Sequence, residues 1–362
     1  MSDKLIKARE IINRVDMEMA RLFEERMSAA AMIADYKKER GIGIYDAARE
    51  AEIIRRGSER ISDPVVREYY VNYLKSTMEV SRRYQARLIE GMRVAYCGTE
   101  GAFAHIATMK LYPTAKKIAY STFDEAYSSV VNGDCDVVVL PVENSYNGEV
   151  GQVTDLMFQG SLYLTEMTEL AVTQDLLVIP GTKISEVKEV VSHTQALGQC
   201  QEFIREHGFI ASEYSNTALA AKYVSEKGDP SVAAIASAEA AEIFGLEVLE
   251  RNINASRNNT TRFAVFSRIE NERAEKAVGV HTVILFTVRN EAGALAKAID
   301  IIGKHGFNMK SLRSRPMKEL LWEYYFYVEA DGNVNTDEGR EMMRELSEYC
   351  DKLRAIGTYI NM

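Results

Sequence analysis

The sequence is short of the features that mark several protein classes. Its 362 residues include four cysteines, six prolines, five histidines and a single tryptophan. Cys97, Cys135, Cys200 and Cys350 are scattered without C-x-x-C or metal-type spacing. That pattern argues against a disulfide framework or structural metal and fits free thiols in a reducing compartment. No apolar run approaches the length of a membrane span, and the first residues are charged rather than signal-like. Basic residues number 44 against 53 acidic, a net charge of −9, which argues against nucleic acid as a main partner. What is present, 46% hydrophobic and 27% charged residues, is ordinary globular composition in a chain long enough for two or three domains. The expectation is a soluble, cytoplasmic, multi-domain protein with no cofactor, no metal and no membrane partner.

Proline and glycine are absent from Asp3 to Arg40. Apolar residues recur there at Leu5, Ala8, Ile12, Val15, Met19, Leu22, Ala29, Ile33 and Tyr36, alternating steps of three and four that make a heptad seam. At ~1.5 Å per residue this helix is roughly 55 Å long, more than a module of ninety residues covers by itself, so an intertwined dimer is expected. Shorter helices follow over Asp46–Arg56 and Pro64–Leu88. The seam slot between Leu22 and Ala29 holds Arg26, whose burial is costly unless an anion meets it. Lys37 falls on nearly the same face. Arg9 points about 100° away, and the expectation is that it serves another pocket, that of a partner subunit. Asp46, Arg49 and Glu50 share a face, as do Ser81 and Gln85.

From Arg93 the pattern becomes α/β. Val94–Cys97 reads as a short strand. Gly98-Thr99-Glu100-Gly101 then leads into a helix, but without the GxGxxG, P-loop lysine or ribose-binding acid of a nucleotide site. Asp136–Leu140 is a continuous apolar run, read as a buried parallel strand, and it ends in Pro141-Val142-Glu143-Asn144-Ser145. Ligands of open α/β sheets bind outside the carboxyl ends of strands, so a site is sought there. A helix is expected from about Glu149 to Phe158. Further on, His193-Thr194-Gln195-Ala196-Leu197-Gly198-Gln199-Cys200 opens a helix, Asn216 caps the next, and Thr260-Thr261-Arg262-Phe263 leads into another apolar strand. Two α/β sets joined by extended crossovers predict two lobes around a cleft. Glu270–Lys276 reads as a charged linker. Val280 to Ile360 then alternates as βαββαβ, a ferredoxin-like order.

Three resemblances follow from these residues. Within a helical domain expected over residues 1–90, the stretch from Leu5 to about Gln85 resembles the all-helical chorismate mutase family through Ala8-Arg9-Glu10, Glu24-Glu25-Arg26, Lys37, Asp46-x-x-Arg49-Glu50 and Ser81-x-x-x-Gln85. The resemblance implies that Arg26, with Arg9 from the partner subunit, clamps the two substrate carboxylates. It also implies that Lys37 and Gln85 bond the ether oxygen and that Glu50 holds the ring hydroxyl. A pericyclic rearrangement needs no nucleophile, only a compact conformer and donors aimed at the oxygen where charge develops. Residues 93–268 resemble prephenate dehydratase through the Pro-Val-Glu-Asn-Ser segment with Gly148, the His193–Cys200 run, Asn216-Thr217-Ala218 and Thr261-Arg262-Phe263. That implies a two-lobed fold of the periplasmic-binding-protein class with Thr261 essential and Asn144, Glu143 and Gln199 close by. Ser145 and Arg262 are candidate substrate contacts, Arg262 being either a carboxylate partner or a brace for its loop. Glu143 is either a proton source or a brace.

Residues 278–362 resemble the ACT domain attached to prephenate dehydratases, which implies phenylalanine as effector near Gly293-Ala294-Leu295, Asn308 and Ser314-Arg315-Pro316. The second of its motifs usually reads Glu-Ser-Arg-Pro and stands here as Arg313-Ser314-Arg315-Pro316, reversing a charge. Together the resemblances imply a multi-domain, bifunctional enzyme of phenylalanine biosynthesis, a homodimer or higher homo-oligomer that takes chorismate to prephenate and prephenate to phenylpyruvate. The alternatives are an amino-acid-responsive sensor, or a dehydratase whose helical module only dimerises.

Overall fold

Helix α1 (Asp3–Arg40) runs for 38 residues because nothing in it interrupts the backbone hydrogen bonds. Gly41 ends it with a φ of 62°, a left-handed conformation that costs glycine little. Asp46 caps α2 (Ala47–Glu59), its carboxylate accepting from the Arg49 backbone N–H at 2.9 Å. Asp63 caps α3 (Pro64–Glu90), whose first position holds the proline. Of α1 only Ala30 and Ala34 are buried. Leu5, Ile12, Val15, Met19 and Leu22, all on the heptad seam, are 42–57% exposed.

The computed structural model describes residues 3–255, 258–271, 279–317 and 323–360. It divides into two compact units, residues 1–93 and 94–362. Most of the linker expected over Glu270–Lys276 lies outside the described residues.

The second unit is built on three sheets. The first contains β1 (Arg93–Cys97), β2 (Lys116–Tyr120), β3 (Val137–Asn144), β4 (Gly148–Glu149), β5 (Tyr163–Ala171) and a late strand, β11 (Thr260–Ser267), in the order β2-β1-β3-β11-β5 with β4 paired to β3. The second contains β6 (Asp175–Val178), β7 (Glu189–Ser192), β8 (Ile210–Glu213), β9 (Val232–Ala236) and β10 (Glu247–Glu250), in the order β10-β6-β9-β7-β8. Helices α4 (Phe103–Leu111), α5 (Phe123–Val131) and α6 (Gly151–Gln159) accompany the first sheet. Helices α7 (Thr194–Gln199), α8 (Gln201–His207), α9 (Thr217–Lys227) and α10 (Ala238–Phe244) accompany the second.

Two expectations change here. β3 is parallel to β1 but antiparallel to β11, so the sheet is mixed. The reason is that a strand more than a hundred residues later returns to pair with it. Glu149, expected in a helix, lies in β4 opposite Glu143, and α6 starts at Gly151. The two lobes are joined by the crossovers from β5 to β6 and from β10 to β11. These crossovers are tied to each other where the Val172 N–H donates to the Asn259 carbonyl at 2.8 Å and the Ile253 N–H to the Gln174 carbonyl at 2.8 Å.

The third sheet, β13-β14-β12-β15, is antiparallel throughout and comprises β12 (Val280–Val288), β13 (Met309–Pro316), β14 (Tyr324–Asp331) and β15 (Cys350–Ile360). Helices α11 (Ala294–Lys304) and α12 (Asp337–Ser347) complete a βαββαβ order. The period of two along β12 serves two cores. Ile284 and Phe286 pack with Ile301, Ile302, Met342 and Leu346 of the helices. Val283 and Leu285 point the other way, into one continuous core with Leu164, Met167, Ala264 and Phe266 of the first sheet. Phe158 of α6 stacks on Tyr325 at 4.3 Å between centroids. Arg354 of β15 donates to the carbonyls of Met157, Gly160 and Leu162 at the end of α6.

Candidate active sites

In the first unit α1, α2 and α3 enclose a cavity of about 590 Å³ lined by Arg26, Lys37, Asp46, Arg49, Glu50, Ser81, Arg82 and Gln85, with Ile33, Ile53 and Met78 among its apolar walls. Seven of these eight polar residues were expected from the sequence; Arg9 does not line the cavity. Arg26 donates to the Ser81 hydroxyl and, at 3.4 Å, to the Thr77 carbonyl. Lys37 donates to the Ile44 carbonyl. Gln85 is buried at 7% exposure, and its Oε1 has no hydrogen-bond partner among the described residues. A buried, unpaired amide on a cavity wall is a group waiting for a ligand. Asp46 also works as the α2 cap, and Arg49 pairs with Glu52 at 2.6 Å. Arg82, absent from the expectations, pairs with Glu50. The signal was present: Arg82 adjoins Ser81 and stands three residues before Gln85, one helical step on the same face.

In the second unit a cleft of about 610 Å³ lies between the first and second sheets. Asn144, at the end of β3, and Thr261, at the start of β11, are cross-strand partners. The Asn144 amide donates to Thr261 Oγ1 at 2.9 Å and to Asn259 Oδ1 at 2.8 Å. The Asn259 amide in turn donates to Gln199 Oε1 at 3.2 Å. Asn144 Oδ1 accepts from the backbone N–H groups of Tyr146 and Asn147 at 3.0 and 2.9 Å, fixing the loop. Because an amide nitrogen can only donate, Thr261 accepts from Asn144 and keeps its own hydroxyl proton for a ligand. Three of the four expected dehydration residues, Thr261, Asn144 and Gln199, therefore meet in one hydrogen-bonded chain. Asn259, at 4% exposure, is the link that the sequence reading missed, although it sits two residues before Thr261.

Among the described residues the cleft lining includes no lysine or arginine. It includes the first turn of α4 and the cap residue Val150 of α6; neither Ala102 nor Val150 offers a side-chain hydrogen bond to its helix. The backbone N–H groups of such a first turn are suited to a carboxylate. Gln174 also lines the cleft, with a buried Oε1 that has no partner among the described residues. Cys200, beside Gln199, is no nucleophile: burial pushes its thiol up to about 12, and Asp175 adds to the effect. The Gly98–Gly101 turn is held internally, the Gly101 N–H donating to His105 Nδ1 at 3.1 Å. Burial lowers the pKa of that histidine, keeping it neutral as the acceptor.

Three expected contacts fall elsewhere. Glu143 and Arg262 are cross-strand partners one position from Asn144 and Thr261, so by strand alternation they occupy the opposite face. There Arg262 forms a bidentate pair with Glu329 of β14 at 3.0 and 2.7 Å and donates to Tyr359 at 3.1 Å. Glu143 accepts from Arg313 at 2.6 Å and lies 3.5 Å from Arg262. Burial works against charge on Arg262, but the Glu329 carboxylate outweighs it and raises the arginine's pKa. Both residues bind the first sheet to the third rather than line the cleft. Ser145 staples the loop, donating to the Asn258 carbonyl and accepting from the Thr260 N–H at 2.8 and 2.9 Å. In place of Glu143, the carboxylate on the cleft wall is Glu149.

Around the third sheet, register sets Arg315 level with Tyr325 and Thr287, so the Ser314–Pro316 motif and the Gly293–Leu295 turn lie at one end of the sheet. The Arg315 side chain is engaged with Asp155 at 3.2 Å and Glu149 at 3.5 Å. Asn308 is paired with Asp331 at 3.0 Å.

Residues 8–86 match the chorismate mutase type II family and residues 94–271 the prephenate dehydratase family. A bifunctional chorismate mutase/prephenate dehydratase of Neisseria gonorrhoeae is 31% identical over 99% of this chain and 98% of its own length. The chain belongs to the bifunctional chorismate mutase/prephenate dehydratase family. The dehydratase part has solved relatives: a prephenate dehydratase from Arthrobacter aurescens in complex with L-Phe (26% identity, TM-score 0.67, 74% of this chain and 90% of that one), and GqqA, described as a novel type of quorum-quenching acylase (30% identity, TM-score 0.69, 75% and 98%). The mutase cavity and the dehydratase cleft thus fall within the segments matched by the two families.

Proposed function

We propose that this chain rearranges chorismate to prephenate in the helical cavity and converts prephenate to phenylpyruvate in the cleft, two successive steps of phenylalanine biosynthesis. The observation that carries this reading is the pair of cavities in one chain, one walled by cations and the other by amides and a hydroxyl. In the first, Arg26 supplies charge for a substrate carboxylate, while the Lys37 ammonium and the NH2 of the Gln85 amide supply donors for the ether oxygen as its bond to the ring breaks. Arg49 and Arg82 add positive potential, and Glu50 accepts the ring hydroxyl. In the second, prephenate gives up its ring carboxylate as carbon dioxide. The released electron pair enters the ring and expels the ring hydroxyl at the opposite carbon. Thr261 donates a hydrogen bond to that leaving hydroxyl, polarised by the Asn144 amide that it accepts from.

The exposed α1 seam supports a homodimer in which Arg9 of a second copy completes the mutase cavity. The βαββαβ module supports a ferredoxin-like ACT domain with phenylalanine as effector at its Gly293–Leu295 and Ser314–Pro316 end, following a lobed dehydratase of the periplasmic-binding-protein class. The decisive test is purified full-length protein given chorismate and followed to phenylpyruvate, with and without phenylalanine. Prephenate and then phenylpyruvate should appear, the second more slowly when phenylalanine is present. Binding of either substrate without turnover would leave a sensor.

A further inference from the structure

Asn144, which polarises Thr261, is the last residue of β3, and beyond its pairing with Thr261 of β11 the chain turns straight back into a short hairpin. β3 pairs with a β4 of only two residues, in the register Glu143↔Glu149 and Asn144↔Gly148. Each outer corner of the hairpin carries a carboxylate, and each carboxylate meets an arginine from one strand of the third sheet. Arg313 Nη2 lies 2.6 Å from Glu143 Oε1. Arg315 Nη1 lies 3.5 Å from Glu149 Oε1, with its Nε 3.2 Å from Asp155 on α6. Arg313 and Arg315 are two apart on β13 and so share a face, and that face lies against the hairpin. Arg313 is only 24% and Glu143 29% exposed in their side chains, so the pair is sheltered from screening more than a surface pair is.

We propose that Arg313 is a positioning residue for dehydration: by holding Glu143 it fixes the hairpin so that the Asn144 amide stays on Thr261. It touches neither the cleft lining nor the substrate. The assignment rests on the cleft being the dehydration site and deepens that reading. It gives Glu143 a role as strut and gives the reversed charge at position 313 a purpose, because a glutamate there would face Glu143 with like charge.

The contact from Arg313 to Glu143 is monodentate, so a lysine can replace it in kind, whereas glutamine cannot. The experiment compares Arg313→Gln, Arg313→Lys and Thr261→Ala in the full chain, measuring kcat and KM for prephenate, with chorismate mutase activity on the same samples as the control for folding. Misplacement of a catalytic group by about 1 Å costs on the order of a hundredfold. Arg313→Gln should therefore lower the dehydratase kcat by about ten- to a hundredfold with KM within about twofold, and Arg313→Lys should recover most of it. Hydrogen exchange of the Tyr146 and Asn147 amides, which Asn144 holds, should accelerate in Arg313→Gln while that of β9 does not. Should Arg313→Gln fail to fold, Arg313→Met, neutral with an unbranched apolar stem, takes its place. If Thr261→Ala abolishes dehydration but the neutral variant at position 313 keeps full kcat, Arg313 has no positioning role and only the cleft reading stands. If Thr261→Ala dehydrates normally, the cleft reading fails first and the assignment goes with it.

Discussion

The helical cavity and the α/β cleft are nearly equal in volume, about 590 and 610 Å³, and are proposed to handle the same carbon skeleton. Yet they are built from opposite materials. Three helices give the mutase cavity charged side chains: Arg26, Lys37, Arg49 and Arg82 against Asp46 and Glu50. The dehydratase cleft, among the described residues, has no lysine or arginine on its wall and relies on amides, hydroxyls, His193 and the uncapped first turn of α4. The difference follows from the chemistry. A rearrangement with no departing group needs its substrate gripped and one oxygen stabilised, which fixed cations do well. A fragmentation that ejects carbon dioxide must let a carboxylate lose its charge, and an arginine clamped on that group would hold the ground state back. Neutral dipoles grip the remaining carboxylate without that cost.

Removing one element from each side tests the contrast. The largest effect is expected from Arg26→Ala, which takes away a carboxylate partner from the cavity wall. Mutase kcat/KM should fall by about three orders of magnitude, the scale of a truncated charge pair, with dehydration of supplied prephenate unchanged. Loss of both activities in that variant would mean one shared site. Next, Thr261→Ala should cost dehydration about a hundredfold, as for removal of a single preorganised donor, with chorismate consumption unaltered; full retention would remove Thr261 from the mechanism.

The smallest effect concerns the face that the cleft turns away from. Burial pushes Glu329 up, but the hydrogen bonds from Arg262 and Tyr359 outweigh it and hold its pKa below the ordinary 4.5. A folded-state pKa depressed in this way contributes stability above 4.5, and the contribution is lost as pH falls through the depressed value. The melting temperature of the second unit should therefore decline by roughly 3 °C more in the wild type than in Glu329→Gln as pH is lowered from 6 into that range. Parallel declines would show that the carboxylate contributes nothing.

Periodic features were legible from the sequence, and facing was not. The unbroken pattern of α1 and the βαββαβ order after Val280 follow from local chemistry, and the structure returns both. The mutase cavity was legible for the same reason, since a helix converts spacing into facing through one angle. In the dehydratase cleft the residue types were readable and their directions were overlooked. Thr261 and Arg262, like Asn144 and Glu143, are neighbours on strands and must point to opposite faces, a signal available without coordinates. The partner of the second face was not available, because Arg313 and Glu329 come from strands as much as 170 positions further along and no short-range pattern announces them. Asn259 escaped notice because it stands in a crossover, where no period operates.

Arg354 and the core common to the first and third sheets also limit how the two can move. A domain on a flexible tether can swing away and report by distance, but β15 is bonded to three carbonyls at the end of α6 and Val283 and Leu285 are sunk beside Leu164. Opening that seam would wet the core of both sheets at once. The motion left to them is shear, a slide of the order of 1–2 Å between packed layers, which the paired arginines of β13 would deliver to the hairpin as a change of angle. Such a coupling works like a gear with short teeth: small travel, no slack, and no need for the parts to separate.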